Sequence, residues 1–303
     1  MSTGMQVLIP ATITDAALVS SSVAEDDHSA WSAVTTYADG DRVISTATHR
    51  IYESLQDGNT NHDPLADDGT WWIDAGPTNR WAMFDESVGT ATAATDSIVV
   101  VLEPATQIGG LVLLGSQAAQ MQVQIERTST SELVYSATVS LDSYPVGDWY
   151  EYLTAPIQFN SDAVLTDLPV VADPRITVTI TKSGDVSVGS LVLGSVHQMG
   201  AVQYGMQLGI VDYSRKETDA FGATTLVQRA YSRKVDLTMV CDQATLNGIY
   251  ALLSNLRARA VVWIPTTSAG YEASIVYGWY RDFSLDVATP SAYYCTMQIE
   301  GMT

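Results

Sequence analysis

The chain has 303 residues, a formal net charge of −20, 46% hydrophobic residues and 16% charged residues. That length exceeds one compact core of ordinary size and predicts two or three domains. The hydrophobic content is enough to bury real cores and excludes global disorder. The acidic balance argues against binding of a nucleic-acid backbone as the main activity, because such proteins need basic surface.

The negative charge is concentrated in the first two thirds of the chain. Residues 1–200 carry a net −19, whereas residues 201–303 carry 9 acidic and 8 basic side chains. Because large like charges resist self-association, the nearly neutral C-terminal third is a candidate for an interface-forming segment. A domain that simply has fewer acids explains the asymmetry equally well.

The N-terminal segment, residues 1–28, is predicted to be an arm with one strand. It opens with a short apolar stretch, Met5 to Pro10, and becomes rich in Ser and Ala before the acidic run Glu25-Asp26-Asp27. It shows no basic region followed by an apolar run, and no stretch of the chain approaches the about 20 apolar residues of a spanning helix. These features predict no secretory signal, no membrane insertion and synthesis in a cytoplasm.

Residues 29–75 form a predicted β module that is dense in aromatic residues. Its aromatic and turn residues are Trp31, Tyr37, Gly40-Asp41, Val43, Tyr52, Pro64 and Trp71-Trp72. Their spacing resembles that of the small carbohydrate-binding modules of families 5 and 12, which are appended to chitinases and cellulases. The resemblance implies a three-stranded mini-domain that stacks an exposed aromatic face on host cell-surface glycan, with Tyr37, Trp71 and Trp72 as candidate glycan-binding residues. The alternative is that several of these aromatic rings pack inward, because so short a module has almost no other core.

The same module contains a weak calcium-loop pattern. Oxygen-bearing side chains recur at the spacing that a calcium loop uses, namely at Asp57, Asn59, Asn61, Asp63 and Asp68. The position that normally requires glycine is His62, and the twelfth position is Asp rather than Glu. An Asn- and Asp-rich turn is the competing interpretation.

Residues 76–200 are predicted to form an antiparallel β-sandwich of the jelly-roll type, similar to galactose-binding-like domains. Short β-type runs alternate with Gly- and Pro-containing turns. The predicted strands are Ser97–Leu102, Leu111–Leu114, Met121–Ile125, Leu133–Val139, Trp149–Leu153, Ile176–Ile180 and Leu191–Leu193.

Residues 201–303 are predicted to form an α+β assembly domain with the one main helix of the chain. Asp242 is placed to cap a helix whose apolar positions, Leu246 to Leu256, recur at helical spacing. Strands are expected before and after the helix. Cys241 and Cys295 are too few for a disulfide scaffold and are expected to be buried thiols.

Enzyme signatures are thin, so the chain is predicted not to be an enzyme and to need no cofactor. It has no Gly-x-Gly, Gly-x-Ser-x-Gly or His-Glu-x-x-His motif. Glycoside hydrolysis by two carboxylates remains the enzymatic alternative, because acids are plentiful, although no segment singles out a pair.

Four motifs follow residue 75, namely Gly76 to Asp85, Gly205 to Lys216, Asp219 to Gly222 and Gln228 to Ser232. They resemble motifs in the tip or distal-tail proteins of tailed bacteriophages. The resemblance implies a virion structural protein that forms a homo-oligomeric ring and contacts other tail proteins, such as the tail tube, hub or tape-measure complex. A stand-alone glycan-binding adhesin without an assembly role is the alternative, and the polysaccharide hydrolase is a second one.

Overall fold

The computed structural model describes residues 4–87, 89–143, 148–150, 158–218, 221–222, 224–287 and 289–302. The predicted fold class is confirmed: the protein is mainly β, with a three-stranded module, an antiparallel sandwich and a helix in the C-terminal part. No described helix is both long enough and apolar enough to span a bilayer.

One face of the sandwich is a five-stranded antiparallel sheet. Its strands, in spatial order, are β11 (Glu132–Ser140), β10 (Gln120–Arg127), β15 (Pro174–Val188), β8 (Thr92–Leu102) and β2 (Leu18–Ser21). Alternate residues of β10, such as Met121 and Val123, are fully buried, as the period of a half-buried strand requires.

The opposite face belongs to a ten-stranded antiparallel sheet that continues into the C-terminal part. Its strands, in spatial order, are β14 (Ala163–Leu165), β9 (Gly110–Leu114), β16 (Ser190–Gln198), β1 (Gln6–Pro10), β22 (Val261–Ile264), β23 (Val276–Asp286), β24 (Ala292–Gly301) and β21 (Tyr231–Asp242), with β17 (Ala201–Val202) and β18 (Gln207–Asp212) both pairing with β21. Leu111 and Leu113 of β9 pack against the five-stranded sheet in the largest hydrophobic cluster. Val112 and Leu114 face the other way and pack with Val262 in a second cluster, so the sheet curls upon itself.

Strand β1 lies in the middle of the large sheet. It pairs antiparallel with β16 on one side and with β22 on the other. The contact with β16 is very close at Gly194, where an added Cβ would lie 1.9 Å from the carbonyl oxygen of Ile9. The large sheet therefore draws strands from three of the predicted segments, and their boundaries at residues 28, 75 and 200 remain predictions.

The predicted helix is present as α1 (Leu246–Asn255) and packs on the C-terminal half of the large sheet. Asp242 accepts a hydrogen bond from the backbone N–H of Ala244 and so caps the 3-10 turn that leads into α1. Cys241 and Cys295 are free and buried among these residues, as expected. Burial raises the pKa of Cys241, and it raises the pKa of Cys295 to about 12.

The strand predicted at Trp149–Leu153 is wrong at its first two residues. Trp149 and Tyr150 are helical, and the remainder lies outside the described residues. Trp149 is 81% exposed.

We call residues 203–231, a projecting segment, the arm. It is distinct from the N-terminal segment, residues 1–28, for which the sequence also predicts an arm. The arm at residues 203–231 contains β18 and a hairpin of β19 (Arg215–Thr218) and β20 (Thr224–Val227). None of its described residues is buried. The arm follows directly from the large sheet, because β18 pairs along β21 from Gln207↔Asp236 to Asp212↔Tyr231.

Candidate functional site

The aromatic module consists of two small sheets built around a miniature core. Its strands are β3 (Thr36–Tyr37), paired with β6 (Asn59–Thr60), and β4 (Arg42–Ser45), β5 (Arg50–Ser54) and β7 (Trp72–Pro77), paired in that order. Tyr37, Val43 and Trp72 are the buried members of its core, and Trp31, Tyr52 and Trp71 pack partly against them. The sheet of β4, β5 and β7 is the three-stranded arrangement that the resemblance implied.

The Gly40-Asp41 pair of the motif has a structural role. Gly40 adopts a φ of +83°, in the left-handed region that glycine tolerates best, and forms the turn between β3 and β4. The carboxylate of Asp41 accepts a hydrogen bond from the backbone N–H of Ala38 at 2.7 Å, which closes that turn. These two residues therefore shape the turn between β3 and β4.

Two of the three candidate platform residues are not exposed. Tyr37 and Trp72 are 9% and 3% exposed, and their rings meet edge to face at 5.1 Å. The Tyr37 hydroxyl accepts a hydrogen bond from the backbone N–H of Ser32, and the Trp72 indole N–H donates to the carbonyl of His62. Their expected role in an exposed platform is therefore corrected: the module has no other large residues with which to fill its core, so these rings are used to hold it together.

Trp71 is the remaining candidate, and the structure adds a partner that the sequence did not single out. The ring of Trp71 stacks on the imidazole of His62, with centroids 3.9 Å apart and planes 11° from parallel. Both residues are only partly buried, so together they present one aromatic surface. The nearest sequence signal for His62 is its place in the Asn/Asp-rich loop, where it stands at the position that a calcium loop reserves for glycine.

Asp67 fixes the backbone that carries Trp71. Its carboxylate accepts hydrogen bonds from the backbone N–H groups of Gly69, Trp71 and Trp72. Desolvation acts to raise the pKa of Asp67, but these N–H donors outweigh it and hold the pKa below its ordinary value. The ionised carboxylate thus stabilises the turn from which the aromatic surface projects.

The five calcium candidates are used mainly in local turns. The carboxylates of Asp57, Asp63 and Asp68 accept hydrogen bonds from the backbone N–H of Asp39, the backbone N–H of Leu65 and the hydroxyl of Thr70, respectively. Asn61 adopts a φ of +60°. Within the described ranges, no group of three or more His, Cys, Asp or Glu could hold a metal ion. The arrangement therefore favours the turn interpretation.

Asn59, the fifth candidate, is fully buried inside the module. Its amide nitrogen donates to the Ser54 hydroxyl at 3.0 Å and to the carbonyl of Trp71 at 3.3 Å. It links β6 to β5 and to the residue before β7, which is a structural role. Its side chain is not accessible to an ion from solvent.

The module is clamped to the sandwich through His49. One imidazole nitrogen lies 2.9 Å from the Glu25 carboxylate and the other lies 2.8 Å from the Asp15 carboxylate. The ring also stacks on Trp81, with centroids 4.0 Å apart. Glu25 in turn accepts a hydrogen bond from the Thr78 hydroxyl at 3.0 Å. Four contacts from different segments thus converge on the joint. They could not be predicted from the sequence, because the partners are distant in the chain.

A second set of contacts reinforces the same joint. The side-chain amide of Asn79 donates to the carbonyl of Ala93 and accepts from its backbone N–H. The backbone N–H of Asn79 donates to the carboxylate of Asp27 at 3.1 Å. The acidic run at residues 25–27 therefore serves as an anchor for the module, so its carboxylates are not merely a solvated charge run.

A cavity of about 330 Å³ lies where the sandwich meets the C-terminal part. At its wall Arg233 forms an ion pair with Asp162, whose side chain is 2% exposed. Arg233 also donates to the carbonyl of Ile275, and Asp162 accepts from the backbone N–H of Gly115. The polar groups here satisfy one another, and most of the lining is apolar.

Two groups near this cavity have perturbed proton affinities. Burial, with the negative charges of Glu86 and Asp85, raises the pKa of Tyr277 to about 12. Desolvation raises the pKa of Asp85 despite hydrogen bonds from Thr90 and Ser87. Those hydrogen bonds engage both carboxylate oxygens of Asp85 in a local turn, which favours a structural role over that of a catalytic acid.

Comparison with known proteins gives no relative for this chain. No protein-family model, no curated protein and no solved structure matches it.

Proposed function

We propose that the chain is a structural protein of a bacteriophage tail tip that assembles as an oligomer and presents the module to glycan on the host surface. The single observation that carries the proposal is the His49 clamp, which holds the module in a fixed orientation on a large β body. Fixed presentation is what an assembled adhesive particle needs. A module that only retains an enzyme near its polymer works equally well on a flexible tether.

The aromatic surface supports the glycan half of the proposal. An indole face stacks on the C–H face of a pyranose, while neighbouring polar groups bind its hydroxyls. Trp71 is the candidate that remains accessible, and its pairing with His62 widens the apolar contact. Asp67 and Asn59 hold the adjoining backbone in place before any ligand arrives, so little ordering is needed on binding.

The arm and the charge pattern support the assembly half. The arm exposes apolar residues on a chain of high net charge, and it lies in the nearly neutral third. A stand-alone adhesin is the second candidate function, because the module alone would account for glycan binding. The arm favours the assembled form.

The glycan site is tested by retention on a panel of bacterial envelope polysaccharides. Trp71→Ala is expected to weaken retention of the full chain strongly, because it removes the accessible aromatic face that would stack on the sugar. Tyr271→Ala is the matched control, because Tyr271 is 49% exposed and lies in the C-terminal part. Circular dichroism checks that both variants are folded. Equal retention of Trp71→Ala and the wild type would remove Trp71 from the site.

The virion role is tested separately by asking where the protein is found. Expression in its bacterial host together with the tail genes is expected to place it in purified tails, where gold-labelled antibody marks the tip. A protein that binds glycan but never enters particles would leave the stand-alone adhesin as the function. Release of sugars from the same panel would instead identify a hydrolase.

A further inference from the structure

The cavity where the sandwich meets the C-terminal part is large enough for a small molecule. Its volume is about 330 Å³, and an apolar cavity of about 150 Å³ already accommodates benzene. Leu114, at the end of β9, lines it from the sandwich, and Ile275 and Val276, where β23 begins, line it from the C-terminal part. All three are at most 3% exposed. Packed strands therefore hold its apolar walls in place before a ligand arrives.

Tyr277 lines the same cavity and carries a polar group without a partner. The residue is 6% exposed, yet its hydroxyl makes no hydrogen bond with any described residue of the chain. Its backbone, in contrast, is paired, because the carbonyl accepts a hydrogen bond from the N–H of Met302 at 2.8 Å. A buried Tyr hydroxyl usually finds a partner, and an unpaired one calls for an explanation. A ligand that enters the cavity would supply that partner.

The Tyr277 hydroxyl keeps its proton at neutral pH and can therefore donate a hydrogen bond. Burial, with the negative charges of Glu86 and Asp85, raises the pKa of Tyr277 to about 12. The same two carboxylates would repel an anionic acceptor. The group that fits is an uncharged acceptor oxygen, such as the carbonyl oxygen of a ketone, an ester or an amide.

The ion pair at the cavity wall offers no free charge to a ligand. Arg233 pairs with Asp162 and also donates to the carbonyl of Ile275, so its positive charge is already compensated. Asp162 accepts a further hydrogen bond from the backbone N–H of Gly115. Transfer of a charged group into a mostly apolar cavity is costly unless an opposite charge meets it. These conditions favour a neutral ligand.

We propose that this cavity binds a small neutral molecule with an apolar body and an acceptor oxygen, which receives a hydrogen bond from the Tyr277 hydroxyl. The apolar body lies against Leu114, Ile275 and Val276. Because these residues come from both the sandwich and the C-terminal part, an occupied cavity stabilises the joint between them and, by mass action, the folded chain. The site is separate from the aromatic surface of the module, and the proposal does not depend on the tail-tip function.

Two molecules of the same shape test the site in the purified full chain. Acetophenone carries a ketone oxygen, and α-methylstyrene carries a CH₂ group in place of that oxygen. Isothermal titration calorimetry measures the dissociation constant of each. The wild type is expected to bind both molecules, because the apolar lining accepts either body, but only acetophenone can accept a hydrogen bond from Tyr277.

Tyr277→Phe removes the hydroxyl and keeps the ring. It is expected to weaken acetophenone binding about tenfold, which corresponds to about 1.4 kcal/mol, and to change α-methylstyrene binding less than about twofold. Retained binding of α-methylstyrene also shows that the variant is folded and its cavity intact. Tyr250→Phe is the matched control, because Tyr250 is 57% exposed on α1 and undergoes the same change. Its affinity for acetophenone should equal that of the wild type.

Nuclear Overhauser contacts locate the bound molecule. With ¹³C-labelled methyl groups in the protein, the protons of acetophenone are expected to show contacts with the methyl groups of Ile275 and Met302, which both line the cavity. Absence of these contacts in the presence of binding would place the ligand elsewhere and overturn the proposal.

The titrations can overturn the proposal in two further ways. A wild type that does not bind acetophenone up to its solubility limit would leave the cavity to water alone. Equal loss of acetophenone affinity in Tyr277→Phe and Tyr250→Phe, or no loss in either, would show that the Tyr277 hydroxyl does not contact the ligand.

Discussion

The ion pair between Asp162 and Arg233 ties the sandwich to the C-terminal part, and its removal should be costly. Replacing Arg233 by Met keeps much of the apolar stem but removes the guanidinium. Asp162, with a side chain 2% exposed, would then keep, among contacts with the described residues, the hydrogen bond from Gly115 at 3.0 Å. Breaking a buried pair by removing one partner costs about 3–5 kcal/mol. Because Arg233 is itself 31% exposed, we expect the lower end, about 3 kcal/mol.

Removing the other partner should cost less, which gives the measurement an internal check. In Asp162→Ala the guanidinium remains reachable by water and still donates to Ile275, so we expect a loss of about 1–2 kcal/mol. The double variant should lose less than the sum of the single variants, because each single change already removes the pair. Urea denaturation followed by tryptophan fluorescence and circular dichroism measures all three free energies of unfolding.

An exposed pair provides the control for this reasoning. Arg42 lies 2.7 Å from Glu53 on the module surface, with side chains 49% and 32% exposed. Arg42→Met should cost no more than about 1 kcal/mol, as is usual for exposed pairs. If Arg233→Met lost no more unfolding free energy than Arg42→Met, burial of Asp162 would not strengthen the ion pair, and the reasoning would be refuted.

Two further predictions concern the close strand contact and the turn beneath the aromatic surface. Gly194→Ala should destabilise the protein by about 1–3 kcal/mol in thermal denaturation, because the added Cβ would overlap the Ile9 carbonyl oxygen at 1.9 Å. In Gly248→Ala, within α1, the added Cβ meets nothing within 4 Å, so this variant should stabilise the protein by about 0.5–1 kcal/mol. A change of the same sign at both glycines would contradict the packing argument. Asp67→Ala should destabilise the module at neutral pH, and the difference from the wild type should disappear in acid. The lowered pKa of Asp67 means that its stabilisation is present above the ordinary value of 3.8 and is lost as the pH falls through the folded-state pKa. Urea denaturation at both pH values measures this, and a difference that grows in acid would show that the carboxylate does not stabilise the turn.

The local periodicity of the sequence predicted most of the strands and the helix. The run Leu111–Leu114 lies within β9, and the alternation that begins at Val235 belongs to β21. These signals are local, because the side-chain period of a strand or helix follows from the backbone alone. The strand prediction failed at Trp149. The run Trp149–Leu153 is rich in aromatic residues but lacks the alternation that indicates a strand.

The candidate site was predicted less well than the fold. Sequence marks Tyr37, Trp71 and Trp72 as aromatic but does not say which rings face inward, because that depends on what else can fill the core. The stack of His62 on Trp71 and the clamp at His49 depend on the folded course of the loops, and no periodicity announces them. The apolar residues Leu208 and Ile210 have the spacing of an ordinary half-buried strand. Only the structure shows that nothing in the described chain covers the face they share.

The central position of β1 has a consequence for how the chain folds. Its partners Ser190–Gln198 and Val261–Ile264 lie roughly 190 and 255 residues downstream. During synthesis, β1 therefore keeps both edges unpaired until β16 has emerged, and the edge that pairs with β22 stays open until residue 264 has emerged. Long-range pairing of this kind is slow and exposes the strand to aggregation. Closure of the large sheet around β1 is thus a late event, and a chaperone that shields the N-terminal ten residues should raise the yield of folded protein more than one that acts on the aromatic module.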